Sequence, residues 1–135
     1  MTGENDLRNM RNRILVIDDN TDLLNILKRL LENSGIQADT ADSGEGGLDL
    51  LRGCLKEYDL VLLDIQMPDM NGYEVLAHIR SDQRPEINSI PVIAMTGGAV
   101  REDVEGVDDI LSKPFRSETL VPTLVQVLMK KNEKA

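Results

Sequence analysis

Cysteine and histidine each occur once, tryptophan is absent, and aromatic residues make up only 2% of the 135 positions. The lone Cys54 has no second cysteine for an intramolecular disulfide, and with no histidine cluster the chain has no set of zinc ligands. Cys54 is therefore read as a buried structural thiol. So few rings provide no stacking platform for single-stranded nucleic acid, and the core must be built from Leu, Ile, Val and Met. Positive charge is also scarce: 15 Lys and Arg stand against 24 Asp and Glu, for a net charge of -9. Phosphate backbones would be repelled, so no direct nucleic-acid partner is expected. No apolar run reaches membrane-spanning length, and the N-terminus lacks a signal-peptide core. The expectation is a soluble, cytoplasmic protein with no membrane insertion.

What remains is ordinary for one globular domain, with 41% hydrophobic and 29% charged residues. Residues 1–12 are polar and mixed in charge and read as a flexible tail. Residues 13–131 read as the folded domain, and 132–135 as a C-terminal tail. Within the domain, strand and helix signals alternate. Arg13 to Asp18 and Asp59 to Asp64 are short, uninterrupted apolar runs, the mark of strands covered on both faces. Ile36 to Ala41, Ile90 to Met95 and Val107 to Ser112 are weaker strands. Leu23, Leu24, Leu27, Leu30 and Leu31 recur at helical spacing between Thr21 and Ser34, with Gly35 as the stop. Ser43 caps a second helix running to about Leu55. Met67 to Gly72 is a loop, and Tyr73 to Arg80 a short amphipathic helix. Residues 81–89 are a polar connection, and a last helix runs from about Glu118 to Lys130. Five β-α repeats imply an α/β, doubly wound parallel sheet with helices on both faces, and ligands at the carboxyl ends of its strands.

Asp18, Asp19, Asp64, Thr96 and Lys113 all fall at those carboxyl ends. Three carboxylates gathered there repel one another unless a cation neutralises them, and hard oxygen donors suit Mg²⁺. A carboxylate is also a nucleophile toward phosphorus, and Asp64, between an apolar strand and a Pro-Gly loop, is the best placed. Lys113 and Thr96 would then meet phosphoryl oxygens. Taken singly, each residue has a plainer explanation: a helix cap, a turn, a strand end, a solvated lysine. Their coincidence on one edge is what favours the chemistry. His78, in the middle of a helix, is read as solvent-facing and without a role.

The motifs Ile17-Asp18-Asp19-Asn20, Leu63-Asp64 through Asn71-Gly72, Ile93-Ala94-Met95-Thr96-Gly97 and Ser112-Lys113-Pro114-Phe115 occur in that order on those strand ends. Over roughly Arg13 to Lys130 the chain thereby resembles the receiver domain of two-component response regulators. The resemblance implies a flavodoxin-like sheet of order 2-1-3-4-5. It implies a phosphoacceptor at Asp64, served by a sensor histidine kinase or a histidine phosphotransfer domain. It further implies Mg²⁺ on Asp18, Asp19, Asp64 and the backbone carbonyl of Gln66, phosphoryl contacts from Thr96 and Lys113, and a cis Lys113-Pro114 peptide. The protein is then a phosphorylation switch or phosphorelay shuttle, with no effector domain after Ala135. It is not a turnover enzyme, and its chemistry stops at self-catalysed phosphorylation and slow autodephosphorylation.

Three positions depart from the family. Ile110 stands where an aromatic residue usually moves with the threonine. The stretch from Thr96 to Lys113 is short by about a turn and a half at roughly 3.6 residues per turn, so the fourth helix is expected to be short or irregular. Pro122 falls about one turn into the last helix, where it would kink the helix or shift its start. These departures leave open a pseudo-receiver, an interaction scaffold working without phosphate. A phosphohydrolase is disfavoured because Gln66 occupies the place of the second carboxylate such enzymes use. Gln66 and Gly98 flank the expected position of an attacking water and are expected to tune the phosphoryl lifetime.

Overall fold

The computed structural model describes residues 12–53, 57–97 and 105–134. In chain order the elements are β1 (Arg13–Ile17), α1 (Thr21–Asn33), β2 (Gln37–Ala41), α2 (Gly44–Arg52), β3 (Leu60–Asp64) and α3 (Gly72–Arg80). The short α4 (Pro85–Asn88), β4 (Val92–Gly97), β5 (Asp109–Lys113) and α5 (Ser117–Lys134) complete them. The five strands form one parallel sheet of order β2-β1-β3-β4-β5, the expected topology.

The period-two geometry of a strand explains why the central strands are unbroken apolar runs. Leu15 and Ile17 of β1, Val61 and Leu63 of β3, and Val92 and Ala94 of β4 project to one face, against Leu48, Leu51, Val75 and Ile79 of α2 and α3. Ile14 and Val16, Leu60 and Leu62, and Ile93 and Met95 project to the other, against Leu24, Leu27 and Leu31 of α1 and Leu120, Leu124 and Leu128 of α5. Both layers are sealed, so polar function is confined to the strand ends.

The helix starts follow local chemistry. The side chains of Asn20, Ser43 and Asn71 accept hydrogen bonds from the backbone N–H groups of Leu23, Gly46 and Glu74, respectively. The edge strand β2 turns residues 37, 39 and 41 toward β1: Gln37 N–H donates to the Asn12 carbonyl, and Asp18 N–H to the Ala41 carbonyl. By alternation, Ala38 and Thr40 direct their backbone groups outward, and the Lys28 ammonium donates to the Ala38 carbonyl at 2.7 Å.

Several boundaries differ from the sequence reading. Asn12, assigned to the tail, is buried and bonded to β2. The polar connection 81–89 contains α4, a single turn that carries proline at its start and buries Ile87. The last helix begins at Ser117 and reaches Lys134, beyond the expected Lys130; Pro122 lies inside it and leaves its start in place. The fifth strand starts at Asp109 rather than Val107. The expectations for Cys54, for the fourth helix between β4 and β5, for Gly98 and for residues 1–11 lie outside the described residues. Among those described, no helix is long and apolar enough to cross a membrane.

Candidate functional site

The carboxyl ends of β1, β3, β4 and β5 bring together the five side chains singled out from the sequence. Asp18 follows β1 and is fully buried; Asp64 ends β3 at 3% exposure. Asp19, next along the chain, is exposed. One carboxylate oxygen from each lies within 4.8 Å of the others. β5 delivers Lys113, whose ammonium donates to Asp18 Oδ2 at 2.7 Å and lies 3.5 Å from Asp64 Oδ2. The Lys113-Pro114 peptide is cis, as expected.

Short-range backbone bonds fix the two buried carboxylates. Asp18 Oδ1 accepts the N–H of Asn20 at 2.9 Å, and Asp64 Oδ1 accepts the N–H of Gln66 at 3.1 Å. Each uses one oxygen to turn the chain and presents the other to the pocket. Gly72, at the start of α3, comes directly under Asp64. Its N–H donates to the Ile65 carbonyl at 2.9 Å, and a Cβ there would fall 2.5 Å from the Asp64 carbonyl oxygen. Only glycine allows the helix to begin so close to the phosphoacceptor candidate. The Gln66 side chain reaches over Gly97, with its Oε1 3.7 Å from the place a Cβ would take.

The pocket is electrostatically unbalanced. Burial, and after it the neighbouring Asp18 charge, lift the Asp64 carboxyl from its ordinary 3.8 to about 6, against the opposing pull of the Gln66 N–H and Lys113. Three acids thus face one ammonium at this edge. Thr96, on β4, is only 7% exposed, and its hydroxyl Oγ1 has no hydrogen-bond partner among the described residues. A buried hydroxyl without a partner costs about 1–3 kcal/mol, which an incoming acceptor oxygen would recover. The donor set therefore fits Mg²⁺: all oxygen, no nitrogen or sulfur, and an excess of negative charge a divalent ion would relieve. A cleft of about 310 Å³ opens beside Asp19, walled by Asp42, Glu45, Met67, Asp69 and Met70.

His78 is exposed on α3, as read. Ile110, at the position where the family usually has an aromatic residue, is half-buried against the core beneath α2 and α3. The sequence reading missed Arg80, the last residue of α3. Its guanidinium donates to the backbone carbonyls of Gly106, Asn88 and Ile90 at the opposite end of the sheet. Backbone acceptors leave no trace in a sequence, so no pattern pointed to it.

Comparison with known proteins gives a consistent result. Residues 14–125 match the family model for the response regulator receiver domain. Cell cycle response regulators named CtrA, from Brucella ovis and Brucella canis, are 35% identical over 114 residues, covering 81% of this chain and 47% of each relative. The chain thus spans about half the length of these curated relatives. A response regulator receiver domain protein from Clostridium thermocellum superposes with a TM-score of 0.82 at 28% identity, covering 92% of this chain and 99% of that one. The Vibrio cholerae chemotaxis protein CheY4 gives a TM-score of 0.78 at 26% identity, covering 86% and 98%.

Proposed function

This chain belongs to the response regulator receiver family of two-component systems, and from that premise we propose that Asp64 accepts a phosphoryl group from a phosphohistidine. The donor is a sensor histidine kinase or a histidine phosphotransfer domain. The free Asp64 oxygen forms the new O–P bond as the N–P bond to the donor imidazole breaks, and the imidazole leaves with the electron pair and takes up a proton from solvent. Asp18, Asp19 and Asp64, with the Gln66 backbone carbonyl, would hold Mg²⁺, which when bound supplies positive charge to the phosphoryl oxygens.

The remaining work falls to the chain itself. The Gln66 N–H orients the Asp64 carboxylate. Lys113, resting on Asp18, is close enough to Asp64 to turn to an added phosphoryl oxygen. The Thr96 hydroxyl donates to another, and this unpartnered buried group is the observation that best supports the reading. Phosphorylation replaces the single carboxylate charge of Asp64 with a phosphoryl group carrying roughly -1.5 to -2 charges and new acceptor oxygens, so both donors are drawn toward Asp64 and the state of the edge changes. The complete pocket favours acceptance over a scaffold that works without phosphate.

Incubation with acetyl phosphate and Mg²⁺ is expected to add one phosphoryl group by intact mass, and Asp64→Asn to abolish the addition. A wild-type mass that does not change under these conditions overturns the proposal.

A further inference from the structure

β5 is an edge strand tied at both ends: at one by its own Lys113, at the other by the guanidinium of Arg80 from α3. At its carboxyl end Lys113 reaches Asp18. At its other end the guanidinium of Arg80 collects three connections at once. Nε and Nη2 both donate to the Gly106 carbonyl, at 2.9 and 2.6 Å, and Nη1 donates to the Asn88 and Ile90 carbonyls, at 3.1 and 2.7 Å. Nη2 also lies 3.6 Å from the Asp108 carboxylate. Asp108 in turn is tied to the start of β4: its N–H donates to the Val92 carbonyl at 2.7 Å, and its carboxylate accepts the Val92 N–H at 2.9 Å. Gly106 has φ 87, a conformation that favours glycine, and it lies against Leu76 and the Arg80 side chain.

The two attachments differ in kind. A phosphoryl oxygen on Asp64 competes directly for Lys113, because the ammonium already lies between the two aspartates. Nothing in that event offers Arg80 a better partner, because its acceptors are backbone carbonyls at the opposite end of the strands. We propose that Arg80 is a fixed anchor joining α3, α4 and the starts of β4 and β5, on which β5 pivots when Lys113 changes partner. The pivot rests on the acceptor reading of Asp64; the anchor does not. A rearrangement at the pocket is thereby confined to the Leu111–Lys113 half of the strand. A planar fork is needed to bridge carbonyls of three segments, and a lysine ammonium at position 80 cannot span them.

Amide hydrogen exchange on the full chain, with and without acetyl phosphate and Mg²⁺, tests both parts, with phosphate incorporation checked by mass. In the wild type, exchange over residues 106–109 is expected to stay within about twofold on phosphorylation while residues 111–113 change. Arg80→Lys, in buffer alone, is expected to raise exchange over 106–109 by about 10-fold. Unchanged exchange there in Arg80→Lys overturns the anchor. A phosphorylation-dependent change over 106–109 in the wild type, which needs no variant to fold, overturns the pivot alone. Failure to incorporate phosphate overturns the acceptor reading and the pivot with it, while the Arg80→Lys comparison still decides the anchor.

Discussion

The two ends of the sheet treat charge in opposite ways. At the carboxyl ends, three aspartates meet one lysine, an acid is pushed up to about 6, and a buried hydroxyl has no partner. At the amino ends of β4 and β5, one guanidinium is matched by three backbone carbonyls and a carboxylate. The same strands therefore carry a region poised to gain from a ligand and a region with nothing to gain. An end that is to respond is built with its interactions incomplete, and an end that is to hold is built with them satisfied.

That contrast can be broken at the satisfied end first. Arg80→Ala removes the guanidinium's donors to Gly106, Asn88 and Ile90, and is expected to destabilise the fold by about 3–4 kcal/mol in urea unfolding. A loss under about 1 kcal/mol would mean that water replaces the guanidinium and that the end is not held by it.

At the incomplete end the sign reverses. The folded-state Asp64 value of about 6 lies above its ordinary 3.8, so the folded protein binds this proton more tightly than the unfolded chain. The group's contribution to stability is fully present below about pH 4 and is lost as pH rises through about 6. In chelator-treated protein, Asp64→Asn should therefore stabilise by about 2 kcal/mol at pH 7.5 and by almost nothing at pH 4. Equal effects at both pH values would show that the negative charge on Asp64 carries no cost there.

The smallest effect is expected at Thr96. Replacing it with valine keeps the shape and deletes the unpartnered hydroxyl, so thermal unfolding should show unchanged stability or a gain of up to about 1 kcal/mol. Phosphate incorporation from acetyl phosphate should nonetheless slow. Unchanged incorporation would remove Thr96 from the pocket's work.

How much of this was legible in the sequence follows the same division. β1 and β3 announced themselves because both of their faces are buried, so apolar residues run unbroken to the terminal aspartates. The pocket was legible because its work is done by side chains at those strand ends. α4 was not, because a four-residue helix started by Pro85 buries only Ile87 and has no period to detect. Arg80 was not, because an arginine at a helix end looks the same whether it meets solvent or three carbonyls. The start of β5 was misjudged because Asp108, whose carboxylate and N–H both bind Val92, precedes the strand while looking like an interruption of it.

The Lys28 ammonium on the Ala38 carbonyl has a consequence beyond α1 and β2. β2 is the other border of the sheet, and a border strand is a template on which a foreign strand can stack. Here a newcomer would have to strip a charged group from one of the two outward-facing residues, Ala38 and Thr40, before it could form a ladder. Lys28 thus obstructs ladder formation along this border of the sheet.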